Sequence, residues 1–305
     1  MVWLAGAMSS YQQASEVFQR IGHRHIPPAS IWRQVAERGE RLQDYVECQQ
    51  QHVSLERVKL PAAGCDHSQR KGISLDGGMV NIRGEGWKEF KAGAVYDVVP
   101  KRVQDIKTKE WMDRVSAANI CYTAVLGGVE PFSQALWATA VQADVPQAAD
   151  SSVTADGAAW IWNLATDLFP DSVQIVDWYH ACEHLAQASH VLYPENDDAA
   201  QRWYSSAKNH LFLGEIFHII HSLQQAGLDD LCHYFHTHQR RMQYHLFQEE
   251  GYPIGSGSVE SEIKQFKARL TGPGMRWSRS AAQRMFVIRG AVLEGSFDAL
   301  WTRAA

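Results

Sequence analysis

Three acidic residues are of the type that could together bind metal ions. Asp76 interrupts the apolar run SLDGGMV, Asp156 ends a second apolar run, and Glu260 belongs to a predicted helix. A carboxylate among buried apolar groups is costly unless it is paired or holds a metal ion. Carboxylate oxygens suit Mg²⁺, and two such ions can hold the attacking and leaving oxygens of a phosphoryl transfer. The three residues therefore predict a Mg²⁺-dependent phosphoryl-transfer site in which Mn²⁺ can substitute, although an Asp at a strand end often only starts a turn.

The surroundings of Glu260 add an argument from helix geometry. If residues 258–271 are helical, four apolar side chains fall on one stripe that should face a core. These are Val259, Ile263, Phe266 and Leu270. Glu260, Lys264 and Lys267 then share a different face, and a carboxylate beside two lysines suits a place where metal and phosphate meet. The alternative is a Glu–Lys pair four residues apart on a solvated face.

Charge is unevenly distributed along the chain. The whole chain has a net charge of −5, yet residues 254–290 hold seven basic and two acidic residues. A basic segment of this kind is typical of surfaces that bind nucleic acid phosphates. We therefore predict DNA contacts for four basic residues: Lys264, Lys267, Arg269 and Arg276. Trp277 lies beside the last of them and could add base stacking.

Residues 1–60 have a helical pattern. One helix is predicted at Tyr11–Ile21, and the sequence GHRHIPP ends it. Ser30 is predicted to cap a second helix in which Gly39 is a weak point. Its apolar positions are Ile31, Val35 and Leu42. Two helices joined by a short turn have the outline of a helix-turn-helix that contacts DNA, and the alternative is an ordinary helical pair packed on the core.

Residues 70–180 alternate between β-rich and helical patterns. Strands are predicted at Ile73–Ile82, where Gly77-Gly78 would break the run, and at Phe90–Val99, Asn119–Leu126, Ser152–Ala155 and Ser172–Val176. Helices are predicted at Phe132–Val141 and Ala158–Leu168. This order predicts an α/β fold, an RNase H-like mixed sheet flanked by helices, with the later strands parallel. In such a sheet the strands carrying Asp76 and Asp156 would lie side by side.

Residues 181–250 lack a strand pattern and are predicted to form an all-helical insertion. Residues 251–305 would then supply C-terminal helices that complete the core. The insertion is rich in histidine. An exposed or partner-facing helix surface is predicted for four of them, with a metal cluster as the alternative: His233, His236, His238 and His245.

The composition excludes several classes of protein. With 305 residues and 45% hydrophobic residues the chain can bury a real core, and it has no apolar run long enough to cross a membrane. The start, MVWLAGAMSS, is a poor signal peptide. The five scattered cysteines argue against a disulfide framework and favour a reducing cytoplasm.

Five motifs occur in a fixed order along the chain. They are SLDGGMV, WKEFKAGAVYD, ADGAAWIW, QIVDWYHACEHL and GSGSVESEIKQFKARLTGPGMRWS. Together they resemble the catalytic region of bacterial insertion-sequence transposases of the DDE type, closest to the group called the Kra-four family, over about residues 70–290. Chains of that family are usually longer at the N-terminus, which leaves open that this one is a truncated copy.

The resemblance implies a function and a set of site residues. Asp76 would be the first catalytic Asp, Asp156 the second and Glu260 the catalytic Glu, all three holding Mg²⁺. Asp177 and His180 match an accessory Asp-x-x-His signature, for which the alternative is a structural Asp–His hydrogen bond. The expected activity is cut-and-paste DNA cleavage and strand transfer, by a homo-oligomer bound to transposon ends and target DNA, in the cytoplasm near the nucleoid and away from membranes.

Two other functions compete with this one. His180, Glu183 and His184 fit the H-x-x-E-H pattern of a zinc metalloprotease, with Glu183 as general base. Alternatively, the chain is a catalytically inactive remnant whose basic segment binds DNA phosphates without chemistry.

Overall fold

Helices make up most of the described chain. The structure is a computed structural model that describes residues 1–55, 69–104, 109, 111–255, 264 and 267–304. Within these ranges the helices are α1 (Val2–Ala7), α2 (Tyr11–Gly22), α3 (Pro28–Leu55), α4 (Val129–Gln142), α5 (Ala159–Leu168), α6 (Trp178–Leu192), α7 (Asp197–Phe212), α8 (Ile216–Gln225), α9 (Asp229–His238), α10 (Tyr244–Glu249), α11 (Arg279–Glu294) and α12 (Phe297–Ala304). Residues 267–270 are also helical.

The strands form one mixed sheet of five. They are β1 (Arg70–Ile82), β2 (Gly86–Gln104), β3 (Trp111–Leu126), β4 (Asp150–Ala155) and β5 (Val173–Val176), and their order in the sheet is β3-β2-β1-β4-β5. β4 and β5 are parallel, with Ser152 opposite Val173 and Ala155 opposite Val176. α5 connects these two strands, since parallel neighbours need a crossover connection. The predicted α/β class, the order of elements and the parallel pairing of the last two strands are confirmed.

Internal contacts divide the chain into two units. Unit 1 comprises Met1–Asp97, Ala118–Ala149 and Ser258–Ala305, and unit 2 comprises Val98–Ala117 and Asp150–Gly257. In this division β4, α5 and β5 belong to the same unit as the helices that follow residue 178.

The core of unit 1 draws on segments that are far apart in sequence. Its buried side chains include Ile31, Val35 and Leu42 of α3, Ile82 of β1, Phe90 of β2, and Phe286 and Ile288 of α11. The apolar positions predicted for the second helix are therefore confirmed as core positions. Trp277 adds its segment to β1, because its amide donates to the Asn81 carbonyl at 2.9 Å and its carbonyl accepts from the Arg83 amide at 2.8 Å.

Two buried arginines hold the short helix α1 in unit 1. The last carbonyls of a helix have no partner within the helix and carry partial negative charge. Arg269 Nε donates to the Ala5 carbonyl at 2.8 Å, and Arg289 Nη1 donates to the carbonyls of Gly6 at 2.7 Å and Ala7 at 3.0 Å. The two guanidinium groups thus satisfy the C-terminal end of α1 from inside the protein.

Several predicted boundaries need correction. The second helix begins at Pro28 rather than after Ser30, because proline is well suited to the first turn of a helix, where its missing amide costs nothing. β1 runs unbroken through Gly77-Gly78. β2 and β3 extend well past the predicted limits, to Gln104 and from Trp111.

Unit 2 contains the predicted all-helical region. Residues 178–250 hold helices α6 to α10 and no strand, as expected. α6 packs on α7, and α8 packs on α9. The four cysteines in the described part of the chain are free thiols, in agreement with the sequence prediction, and Cys65 lies outside the described residues. None of the helices described is long and apolar enough to cross a membrane.

Candidate functional site

Asp76 lies on β1 in unit 1 and is paired with a lysine. Lys267 Nζ donates to Asp76 Oδ2 at 2.5 Å, and the two side chains are 29% and 33% exposed. Lys267 belongs to the basic segment that was predicted to contact DNA, so the structure brings one predicted metal ligand and one predicted DNA contact together. The carboxylate is neither buried nor fully solvated, and it remains accessible to a ligand.

Gly78 lies on β1 close to Asp76, at a position where a side chain would not fit. A Cβ atom at this position would lie 2.5 Å from Cζ of Phe90 and 3.3 Å from Cε of Lys267. Glycine is therefore needed for the close approach of the Phe90 ring and the lysine side chain, and not because the strand is interrupted. Gly78 therefore marks close packing beside the candidate site.

Asp156 follows directly after β4 in unit 2 and is half-buried. Its Oδ1 accepts a hydrogen bond from the Ala158 amide at 2.9 Å, and Gly157 has a φ of 107°. The side chain therefore stabilises the turn between β4 and α5, as strand-end aspartates often do. The turn also fixes the orientation of the carboxylate at the carboxyl end of the strand.

Aromatic and histidine side chains from the helical region surround the Asp156 turn. Tyr234 Oη donates to the Asp156 carbonyl at 3.4 Å, and the His184 and His238 rings lie 4.2 and 5.0 Å from the Tyr234 ring. Burial lowers the pKa of His238 to about 4 and also lowers the pKa of His184, while burial raises the pKa of Tyr234. All three side chains are therefore neutral near pH 7, so they add no full positive charge beside Asp156.

The sequence did not reveal these neighbours of Asp156. His238 was predicted to lie on an exposed or partner-facing helix surface, and its side chain is only 6% exposed within the chain. One feature of the sequence could have indicated that His238 is buried. Tyr234 and His238 are four residues apart and so lie on one face of α9, next to buried Phe235. Nδ1 of His184 is buried and has no hydrogen-bond partner among the described residues.

Asp177 is an N-cap residue. It is 6% exposed, it precedes α6, and its Oδ1 accepts from the His180 amide at 2.9 Å. The Asp-x-x-His spacing is thus the spacing of an N-cap and the third residue of a helix, and the bond goes to the backbone of His180 and not to its ring. This contact supports the structural alternative for the pair.

Glu260 lies outside the described residues, as do Val259, Ile263 and Phe266 of the predicted apolar stripe. Leu270, the last member of that stripe, is fully buried in unit 1. Lys264 is exposed. Lys267 is partly exposed, so the three described positions, Lys264, Lys267 and Leu270, agree with the predicted division of faces.

The predicted DNA contact of Arg269 needs correction. Its side chain is 2% exposed and lies between the rings of Tyr11 and Trp277, with Cζ 4.8 and 5.0 Å from the ring centroids. A guanidinium in that position packs the interior of unit 1 and does not face a DNA backbone. Trp277 is also buried, so it stacks on Arg269 and not on bases, whereas Arg276 is exposed. Arg276 and exposed Trp32 line an open cavity of about 360 Å³ in unit 1.

Among the described residues, His180, Glu183 and His184 are not part of a group of three metal ligands. Nδ1 of His180 lies 3.6 Å from Glu183 Oε2, and the rings of His180 and His184 are 4.9 Å apart. In the described part of the chain, three potential metal ligands do lie close together, with their ligand atoms within 4.8 Å of one another. They are His210, Glu215 and His218. No further metal-binding side chain among the described residues therefore lies close enough to complete a site with the two histidines of the H-x-x-E-H pattern.

Comparison with known proteins adds no family assignment. No protein-family model matches the chain, and no curated protein matches it in sequence. The inference of function therefore depends on the motifs and on the chemistry of the residues within each unit.

Proposed function

We propose that the chain is a DDE-type transposase that cleaves DNA strands and transfers them with Mg²⁺, on an RNase H-like fold. The observation that carries the proposal is the Asp76–Lys267 pair in unit 1. Asp76 on β1 offers a metal ligand, and Lys267 of the basic segment offers a phosphate contact. The two groups lie next to each other. DNA binding alone needs the lysine, whereas metal-dependent cleavage needs the carboxylate as well.

The donor set fits Mg²⁺. Asp76 and Asp156 supply hard carboxylate oxygens, and their side chains are only partly buried. Glu260 is the third proposed ligand. Mg²⁺ ions bound by these residues would polarise the phosphate and activate the attacking water or DNA 3′-hydroxyl.

The protein's own groups position the substrate. Lys267 pairs with Asp76, and in the proposed reaction its ammonium would exchange that partner for a DNA phosphate. Arg276 is exposed and available to the DNA backbone. The neutral His184, His238 and Tyr234 fix the Asp156 turn without competing for its charge.

The experiment is a cleavage and strand-transfer assay on the DNA that flanks this gene, with Mg²⁺ or Mn²⁺. We expect Asp76→Asn, Asp156→Asn and Glu260→Gln each to abolish both reactions while DNA binding is largely retained, because each substitution removes a carboxylate charge but little volume. Asp171→Asn, in the exposed turn before β5, is the matched control and should keep wild-type activity.

Retained strand transfer in any of the three variants would refute the assignment of that residue. A second function, an inactive DNA-binding remnant, is favoured by the fact that Asp76 already has a lysine partner. Wild-type protein that binds the flanking DNA but never cleaves it would establish this alternative.

A further inference from the structure

The turn between α7 and α8 in unit 2 has a defined geometry. α7 ends in a Schellman motif, in which the Glu215 amide donates to the His210 carbonyl at 2.9 Å and the Gly214 amide donates to the Leu211 carbonyl at 3.2 Å. Gly214 has a φ of 74°, the left-handed conformation that this motif requires and that glycine adopts without strain. The motif places Glu215 back over the last turn of α7.

The same turn brings three potential metal ligands together. Glu215 is the N-cap residue of α8, and His218 follows three residues later on the same side of the helix. His210 Nδ1 lies 2.7 Å from Glu215 Oε2, and the rings of His210 and His218 are 4.4 Å apart. One ligand atom from each of the three residues lies within 4.8 Å of the others.

We propose that His210, Glu215 and His218 form a binding site for Zn²⁺, separate from the proposed Mg²⁺ site. Two imidazole nitrogens and one carboxylate oxygen are a ligand set that Zn²⁺ uses, whereas Mg²⁺ prefers oxygen ligands alone. The ion takes the place of the proton between His210 and Glu215. A water molecule completes the tetrahedron.

The surroundings leave room for that fourth ligand. A cavity of about 200 Å³ adjoins the cluster and is lined by His210 and His218 together with Trp203, Ser206 and Ser222. His218 is exposed, and the side chains of His210 and Glu215 are 31% and 43% exposed, so an ion can reach all three. Because the ligands come from the end of α7 and the start of α8, the bound ion would fasten the two helices across their turn.

The test is calorimetric titration of Zn²⁺ into the full-length, metal-free protein in the presence of saturating Mg²⁺, which occupies the proposed catalytic carboxylates. We expect wild-type protein to bind Zn²⁺ and to gain thermal stability, since an ion that binds only the folded state stabilises it. Glu215→Gln and His218→Gln should each weaken this binding at least about tenfold, because each removes one of three ligands. The matched control is His221→Gln, an exposed histidine of α8 one turn beyond His218, which should bind as the wild type does.

A measurement on the wild-type chain makes the test independent of how the variants fold. Zn²⁺ should protect His210 and His218 from carbethoxylation by diethylpyrocarbonate, read residue by residue by mass spectrometry, and should leave His221 reactive. Unchanged reactivity of His210 and His218, or equal Zn²⁺ binding by wild type and Glu215→Gln, would overturn the proposal. DNA cleavage is not a readout here, so failure of the proposed transposase activity would leave the result intact.

Discussion

His184 and His238, which lie near Asp156, differ from surface histidines because burial reduces their contact with water. Burial is the largest cause of the lowered pKa of His238, and nearby Arg241 lowers it further, while Asp156 and a backbone hydrogen bond with Gly157 raise it. For His184 burial again dominates, and neighbouring His180 acts in the same direction. A histidine that must stay neutral to remain buried makes the folded state sensitive to acid.

We therefore predict that acid destabilises the protein between about pH 6.5 and pH 4. The pKa of His238 falls from 6.5 to about 4 on folding. Between these values the unfolded chain binds more protons, so stability is present above pH 6.5 and is lost as the pH falls. The contribution is about 3 kcal/mol, since each pKa unit corresponds to about 1.4 kcal/mol. Urea unfolding at a series of pH values should show a steep fall in the free energy of unfolding across this window.

The substitution His238→Gln tests the source of that slope. It removes the titrating ring from the site and should make the dependence of stability on pH distinctly shallower, whatever it does to stability at pH 7. The variant His221→Gln, at an exposed position, should keep the wild-type slope. An unchanged slope in His238→Gln would show that other groups cause the acid sensitivity.

A second prediction at this scale concerns Gly78. Gly78→Ala should destabilise unit 1 by about 1–3 kcal/mol, because the new methyl group would overlap the ring of Phe90 and overpacking of a filled core has about this cost. Phe90 is fully buried and lies 4.9 Å from the Phe286 ring, which limits its freedom to move aside. Gly22→Ala, where nothing lies within 4 Å, is the control and should not destabilise the protein. Equal urea midpoints for the two variants would contradict the packing argument.

At the scale of elements, the helical spacing of apolar residues predicted which positions are buried. The features that depend on residues far away in the sequence were not predicted. Ile31, Val35 and Leu42 repeat at helical spacing, and all three are in the core as expected. Gly77-Gly78 predicted a break because glycine weakens a strand locally, but β1 runs through both residues, and Gly78 leaves space for Phe90 and Lys267. Arg269 is a basic residue in a basic segment, as a DNA contact would be. Its hydrogen bond to the Ala5 carbonyl of α1 shows that its side chain is buried instead.

The same limit applies to the candidate site. Asp156 was predictable because a carboxylate that follows a short apolar strand is visible in the sequence. Tyr234 and His184 were not, because their approach to Asp156 depends on how the helices of unit 2 pack. Lys267 was predicted as a DNA contact, but its pairing with Asp76 joins residues 191 positions apart.

An element-level prediction follows from the arginines that cap α1. Arg289→Met keeps most of the side-chain volume but removes donors to the carbonyls of Gly6 and Ala7. Buried carbonyls left without a partner should reduce the free energy of unfolding by about 2 kcal/mol, measured by urea denaturation. The control on the same helix is Arg279→Met, whose solvent-exposed pairing with Glu85 should matter little. A similar loss in both variants would mean that the α1 contacts are not the cause.

For the molecule as a whole, the net charge hides the surface that matters for the proposed function. A chain with a net charge of −5 is repelled by DNA on average, so binding must come from a local basic region that releases counterions from the phosphates. Within the basic segment the side chains differ: Arg269 is buried, Lys267 is paired with Asp76, and Lys264 and Arg276 are exposed. Lys264 and Arg276 should therefore account for a measurable part of the salt dependence of DNA affinity.

The double substitution Lys264→Gln and Arg276→Gln is expected to weaken DNA binding at every sequence tested and to reduce the slope of log affinity against log salt by about 2, since each lost phosphate contact lowers it by about 0.9. Fluorescence anisotropy over a range of salt concentrations gives both quantities. Arg202→Gln, an exposed arginine of α7 in unit 2, is the control and should leave the slope unchanged. If the double variant keeps the wild-type slope, the phosphates are bound elsewhere on the molecule. If Arg202→Gln lowers the slope instead, the helices of unit 2 and not the basic segment hold the DNA.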